Sequence, residues 1–66
     1  MKLTVNGEEK SLAEGVTLQD LVRELALERH PIAVELNRSV VPKDRYGETR
    51  LAEGDRLEIV TFVGGG

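Results

Sequence analysis

The chain has 66 residues, of which 39% are hydrophobic and 32% are charged, a balance typical of one small globular domain. A domain of this length buries only about 60% of the surface that its unfolded chain exposes, which disfavours a deep enclosed active site. The net charge of −3 excludes the basic surface of a nucleic-acid-binding protein, and the absence of cysteine excludes disulfides, thiolate metal ligands and a cysteine nucleophile.

The first predicted element is a β-hairpin. Residues 2–5 are short, alternating and partly β-branched, and they are followed by Asn6-Gly7 and then by residues 8–12. Asn-Gly suits the two positive φ angles of a type I′ turn. The sequence therefore predicts two antiparallel strands joined by this turn.

A helix is predicted to begin after Thr17. This residue suits the N-cap, and Asp20 three places later is favoured by the free amides and the positive end of the helix dipole. One apolar stripe follows at helical spacing and consists of Leu18, Leu21, Val22 and Leu25. Because Pro31 disfavours a helical conformation at the residue before it, we expect the helix to end near Glu28 or Arg29.

Two further strands are predicted after the helix. Apolar residues alternate with others in a half-buried strand that contains Ile32, Val34 and Leu36. Val40-Val41 is typical of a short edge strand, which Pro42 ends because it has no backbone donor. Residues 43–50 are polar and irregular, and we expect them to form a surface loop.

The last predicted strand covers residues 56–63, after a turn in which Gly54 supplies an unusual backbone shape. Its two faces consist of Leu57, Ile59, Thr61 and Val63 on one side and of Glu58, Val60 and Phe62 on the other.

A right-handed crossover through the helix would place this last strand beside the first one. The sequence therefore predicts an α+β fold of the β-grasp (ubiquitin-like) type, a mixed four- to five-stranded sheet with one helix packed across one face. We expect residues 1–63 to form this single domain and residues 64–66 to form a flexible glycine tail.

Few residues are suited to enzyme chemistry. His30 has no second histidine and no cysteine to complete a metal site, and its place before proline indicates a surface residue at a helix end. The acidic pairs Glu8-Glu9 and Glu53 with Asp55 are more typical of solvated strands and turns than of acid–base catalysis. We therefore expect no metal site and no enzyme activity in this chain.

The closing residues Gly64, Gly65 and Gly66 offer a different chemistry. Three residues extend at most about 10–11 Å, far enough to carry a terminal carboxylate into a narrow cleft of another protein, where the missing Cβ avoids collisions. The carboxylate is ionised and unreactive at neutral pH, but a partner that converts it to an acyl-adenylate makes its carbon an electrophile. The alternative is a frayed end without a function.

The apolar residues next to the tail are candidates for partner binding. Val60 and Phe62 alternate away from the predicted helix side, and we expect them, with Val63, to contact a partner if the outer face of the sheet is open. The alternative for Phe62 is that it covers a sheet edge or packs under residues 43–50.

Three segments resemble the ThiS family, the ubiquitin-like sulfur carriers of thiamine biosynthesis. They are VELNRSVVP at residues 34–42, LAEGDRLEIV at residues 51–60 and FVGGG at residues 62–66. The resemblance extends over essentially the whole chain, and its most specific part is the combination of the Gly-Asp turn, the apolar strand and the Gly-Gly ending.

The resemblance implies a reaction cycle at the carboxylate of Gly66. A ThiF-type adenylating enzyme would use ATP and magnesium to form the acyl-adenylate, and sulfur from a cysteine desulfurase route would convert it to a thiocarboxylate. The carrier would then donate sulfur to a ThiG-type thiazole synthase. Gly65 and Gly66 correspond to the reactive tail, and Gly64 extends it. The chain would be a protein cosubstrate that binds no cofactor itself.

Two other functions fit the same residues. MoaD-like small subunits of molybdopterin synthase share the fold, the tail and the thiocarboxylate. A non-catalytic β-grasp module would instead bind a partner through its sheet and have an idle tail. An iron–sulfur β-grasp of ferredoxin type is excluded because the chain has no cysteine.

The sequence also predicts a cytoplasmic location. No segment has the roughly 20 apolar residues of a membrane span. The first residues lack the apolar run of a signal peptide. We therefore expect no contact with a membrane.

Overall fold

The computed structural model describes residues 1–62, which form one mixed five-stranded sheet and one α-helix. The strands are β1 (Lys2–Val5), β2 (Glu8–Ser11), β3 (Ile32–Leu36), β4 (Ser39–Val41) and β5 (Arg56–Thr61). The helix α1 spans Leu18–Glu24, and a 3₁₀ helix spans Lys43–Glu48 between β4 and β5.

The predicted hairpin is confirmed. Asn6 and Gly7 have φ angles of 51° and 83°, as a type I′ turn requires at both central positions. Val5 lies opposite Glu8 in the antiparallel register of β1 and β2.

The sheet has the strand order β2-β1-β5-β3-β4. The last strand, β5, is therefore central, parallel to β1 on one side and antiparallel to β3 on the other. With α1 across one face, this is the predicted β-grasp fold of the ubiquitin-like type. The crossover matters for function because it places the strand that precedes the tail in the middle of the sheet.

The start of α1 agrees with the sequence prediction. The backbone N–H of Asp20 donates to the Thr17 hydroxyl at 3.2 Å, and the backbone N–H of Thr17 donates to the Asp20 carboxylate at 3.0 Å. These reciprocal bonds form a capping box. The bond from the Thr17 backbone and the contact with its hydroxyl hold the pKa of Asp20 below its ordinary value of 3.8.

The helix ends at Glu24, so the prediction of an end near Glu28 or Arg29 is wrong. Ala26 adopts a left-handed φ of 59°, and its N–H donates to the Arg23 carbonyl at 2.9 Å. The N–H of Leu27 donates to the carbonyl of Val22, also at 2.9 Å. This pair of bonds is a Schellman motif, which ends a helix independently of the proline downstream.

The hydrophobic core lies between one face of the sheet, α1 and the 3₁₀ helix. Its buried members are Leu3, Val5, Leu18, Leu21, Val22, Val34, Tyr46, Leu51, Leu57 and Ile59. Apart from Tyr46, they come from the predicted apolar stripes and from Leu51 in the turn before β5.

The prediction of an irregular surface loop for residues 43–50 is wrong. Residues 43–48 form the 3₁₀ helix, and Tyr46 within it is only 3% exposed. The segment is attached to the start of α1, where the N–H of Leu18 donates to the Thr49 carbonyl at 2.8 Å. Burial raises the pKa of the Tyr46 phenol. The single aromatic residue in this polar segment therefore belongs to the core.

The strand β5 ends at Thr61, before the predicted end at Val63, which lies outside the described residues. Leu57 and Ile59 are buried as predicted. β1 pairs only with Arg56 and Leu57 of β5. Thr61 lies beyond the end of β1 and is exposed.

Candidate functional site

The candidate site is the end of β5, where the chain leaves the sheet. Thr61 lies opposite Ile32 in the antiparallel register with β3, and the N–H of Phe62 donates to the Pro31 carbonyl at 2.9 Å. Phe62, the last described residue, is therefore tied to the sheet by its backbone. The predicted tail residues Gly64, Gly65 and Gly66, with Val63, lie outside the described residues.

Val60 lies on the outer face of the sheet, opposite Ala33 of β3. Its side chain is 55% exposed, as predicted. Val40 of β4 is 71% exposed on the same face, where it lies opposite Glu35, and Glu35 lies opposite Glu58. The outer face near the end of β5 is thus an open surface with apolar and acidic side chains.

Phe62 is 56% exposed, but it does not simply continue the face of Val60. It lines a cavity of about 150 Å³ together with Val22 of α1 and with Lys43 and Tyr46 of the 3₁₀ helix. Strict alternation does not apply to Phe62 because β5 ends one residue earlier. The two residues expected to form one docking surface therefore border two different features, the outer face and this cavity.

The other candidate residues take structural or solvent-exposed places. His30 is exposed near the same cavity. The Glu53 carboxylate accepts the backbone N–H of Lys2 at 2.9 Å, and the Asp55 carboxylate accepts that of Ala52 at 2.7 Å. Within residues 1–62, no three side chains of histidine, cysteine, aspartate or glutamate are grouped as metal ligands would be.

Two asparagine side chains that the sequence analysis did not select bond to the backbone of β5. Asn6 bonds to Ile59 on the side of β1, and Asn37 bonds to Arg56 on the side of β3. Both residues have left-handed φ angles, which asparagine tolerates better than most residues. The Asn-Gly pair indicated the turn at Asn6, but no local pattern indicates which strand its side chain reaches.

Comparison with known proteins identifies the family. The sequence model of the ThiS family matches residues 3–66. The chain belongs to the ThiS family. The matched region of this ThiS-family chain includes the three final glycines.

Individual ThiS relatives match over almost the whole chain. The sulfur carrier protein ThiS of Bacillus subtilis is 42% identical over 65 residues, 97% of this chain and 98% of the relative. The crystal structure of the thiamine biosynthesis protein ThiS from Geobacter metallireducens has a TM-score of 0.84 and 33% identity, with full coverage of both chains. The matched ThiS proteins are thus a sulfur carrier and a thiamine biosynthesis protein, and the β-grasp fold is shared.

Another relative is larger. The thiazole synthase of Paramagnetospirillum magneticum is 44% identical over 66 residues, and the ThiS-family chain spans only 20% of its length. A protein named for thiazole synthesis therefore contains a segment similar to the whole of this chain. None of the helices within residues 1–62 is both long and apolar enough to span a membrane.

Proposed function

We propose that this chain is a sulfur carrier of thiamine biosynthesis and that the carboxylate of Gly66 carries the sulfur. The observation that supports it most is the match with the sulfur carrier ThiS of Bacillus subtilis over 97% of this chain. In this role the chain is a protein cosubstrate, on which partner enzymes act.

Partners perform the covalent steps. A ThiF-type adenylating enzyme uses ATP and magnesium to join the Gly66 carboxylate to AMP, with pyrophosphate as the leaving group. A sulfur nucleophile supplied through a cysteine desulfurase route then attacks the activated carbonyl carbon, and AMP leaves with the bonding electrons. Because the chain has no cysteine, it cannot trap its own activated end as a thioester.

The acceptor of the sulfur is a ThiG-type thiazole synthase. Support comes from the thiazole synthase of Paramagnetospirillum magneticum, in which a ThiS-like segment belongs to the same chain. A covalent link raises the effective concentration of one part at the other. A separate carrier has to reach the same acceptor by binding it, so an exposed surface beside the tail is needed.

Intact-mass spectrometry of the native protein tests the proposal. We expect a species in which one oxygen atom is replaced by sulfur after incubation with ATP, magnesium, the adenylating enzyme and a sulfur source. Omission of ATP is the control, since without adenylation the carboxylate stays inert. A mass that does not change in the complete mixture would favour the non-catalytic β-grasp module.

A genetic test separates the two sulfur-carrier pathways. We expect the gene to restore growth of a thiamine-requiring strain that lacks its own carrier. Rescue of a molybdenum-cofactor-deficient strain alone would contradict the proposal and support a MoaD-like function. This test needs no purified partner.

Docking by the residues beside the tail gives a separate prediction. We expect Phe62→Glu and Val60→Glu each to weaken binding of the adenylating enzyme by about tenfold or more, because both exposed side chains lie next to Thr61, where β5 ends. The free energy of unfolding should change by less than about 0.5 kcal/mol for Val60→Glu. Binding is measured by calorimetry and stability by urea unfolding.

Val40→Glu is the matched control, since Val40 is an exposed valine on the same outer face but on the edge strand. It should leave binding within about twofold of the wild type, as most residues outside a binding hot spot do. If Phe62→Glu reduces stability more than binding, Phe62 acts as a wall of the cavity and not as a docking residue.

A further inference from the structure

The side chain of Asn6 takes the place of a missing strand beside β5. The register of β1 with β5 covers Thr4 with Arg56 and Val5 with Leu57. The N–H of Asn6 adds one more bond, to the Leu57 carbonyl at 2.8 Å. The chain then turns away into β2, so within residues 1–62 no strand pairs with Ile59 on this side.

A carboxamide offers the same donor and acceptor as a peptide group. The N–H of Ile59 donates to the Asn6 side-chain oxygen at 2.8 Å, and the Asn6 side-chain nitrogen donates to the Ile59 carbonyl at 3.1 Å. Both bonds are partly buried, so their loss would leave two backbone groups without these partners. The side chain therefore extends the β1 edge of the sheet by one residue of β5.

Beyond Ile59, the described backbone of β5 is held from the β3 side. Thr61 lies opposite Ile32, and the N–H of Phe62 donates to the Pro31 carbonyl. Among residues 1–62, the side chain of Asn6 thus makes the last attachment to the backbone of β5 on the β1 side. A strand end bonded along one edge alone can twist away from its sheet more readily than one bonded along both.

We propose that Asn6 is a positioning residue for sulfur loading, an inference that rests on the proposed function. By holding Ile59 on the β1 side, its side chain fixes the position of β5 two residues before the strand ends at Thr61. The Gly66 carboxylate has to meet ATP inside the partner, and a displacement of about 1 Å can cost up to about 100-fold in rate. Asn6 acts through β5 and touches no reacting atom.

Asn37 provides a matched control on the opposite side of β5. Its φ is 50°, compared with 51° for Asn6. Its side-chain oxygen accepts the N–H of Arg56 at 2.9 Å, and its side-chain nitrogen donates to the Asp55 carboxylate at 3.1 Å. The chemistry is nearly the same, but Arg56 is the first residue of β5 and Ile59 lies near its end.

The experiment compares Asn6→Gly with Asn37→Gly, because glycine keeps the left-handed backbone and removes only the side chain. Steady-state adenylation is measured without urea and with the carrier as the varied substrate. The temperature is one at which circular dichroism shows that all variants are folded. We expect Asn6→Gly to lower kcat by about tenfold and to leave KM within about twofold, since docking is retained but the tail is misplaced. Asn37→Gly should keep both constants within about twofold of the wild type.

Each other outcome decides against the inference. An unchanged kcat for Asn6→Gly, or an equal loss in both variants, would show that the side chain only stabilises the fold. A rise in KM alone would show that it acts on docking. If the wild-type carrier is not adenylated at all, the proposed function fails and the inference fails with it.

Discussion

Deletion of Gly66 is expected to abolish sulfur loading without destabilising the domain. The shortened chain still ends in Gly64 and Gly65, so the chemistry of its carboxylate is unchanged and only its reach falls, by about 3.3–3.6 Å. A shift of this size removes the carboxylate from in-line attack on ATP, and we expect a loss of at least about 100-fold. Intact-mass spectrometry after incubation with the adenylating enzyme measures it.

Urea unfolding of the same variant provides the control. Among residues 1–62, the buried residues all lie between Leu3 and Ile59, so the free energy of unfolding should stay within about 0.5 kcal/mol of the wild-type value. Binding to the adenylating enzyme should also persist, since Val60 and Phe62 remain. Sulfur loading at the wild-type rate in the deletion variant would contradict the proposed role of Gly66.

Tyr46→Ala is expected to destabilise the protein by about 3–4 kcal/mol, the usual cost of removing a buried aromatic side chain. Tyr46 is 3% exposed and belongs to the core cluster that also contains Val22 and Leu51. A domain of this size is stabilised by only about 5 kcal/mol, so the variant should lose most of its stability. Chemical denaturation at neutral pH measures the change.

Tyr46→Phe separates packing from the phenol. It keeps the ring and removes only the hydroxyl, and because one hydrogen bond contributes about 0.5–1.5 kcal/mol, we expect a change of less than about 1.5 kcal/mol. An equal loss of stability in both variants would show that the hydroxyl, and not the ring, holds the 3₁₀ helix in place. Unchanged stability of Tyr46→Ala would mean that residues 43–48 are not part of the core.

The elements that were predicted correctly depend on residues close together in the chain. The turn at Asn6-Gly7 and the capping box of Thr17 with Asp20 are formed within two and four residues, so local chemistry is sufficient. The alternation in β3 and β5 identified their buried faces for the same reason. The β-grasp topology followed because handedness and short connections leave few other arrangements.

The helix end was missed because of a local turn, whereas the other two errors depend on contacts between distant residues. His30, before the proline, does lie outside α1, but the Schellman motif at Ala26 had already ended the helix. A single tyrosine among charged residues carries no periodic signal, and only the packing of α1 against residues 43–48 buries it. The strand end at Thr61 likewise depends on where its neighbours stop.

For the candidate site, the sequence alone indicated the type of chemistry that we propose. Three glycines after an apolar strand, with no cysteine in the chain, point to a carboxylate that other proteins activate. Tertiary structure alone decided that Phe62 borders a cavity while Val60 lies on the outer face. It also decided that Asn6 bonds to Ile59, 53 positions away, because a side-chain amide finds its partner only when the crossover has brought β5 beside β1.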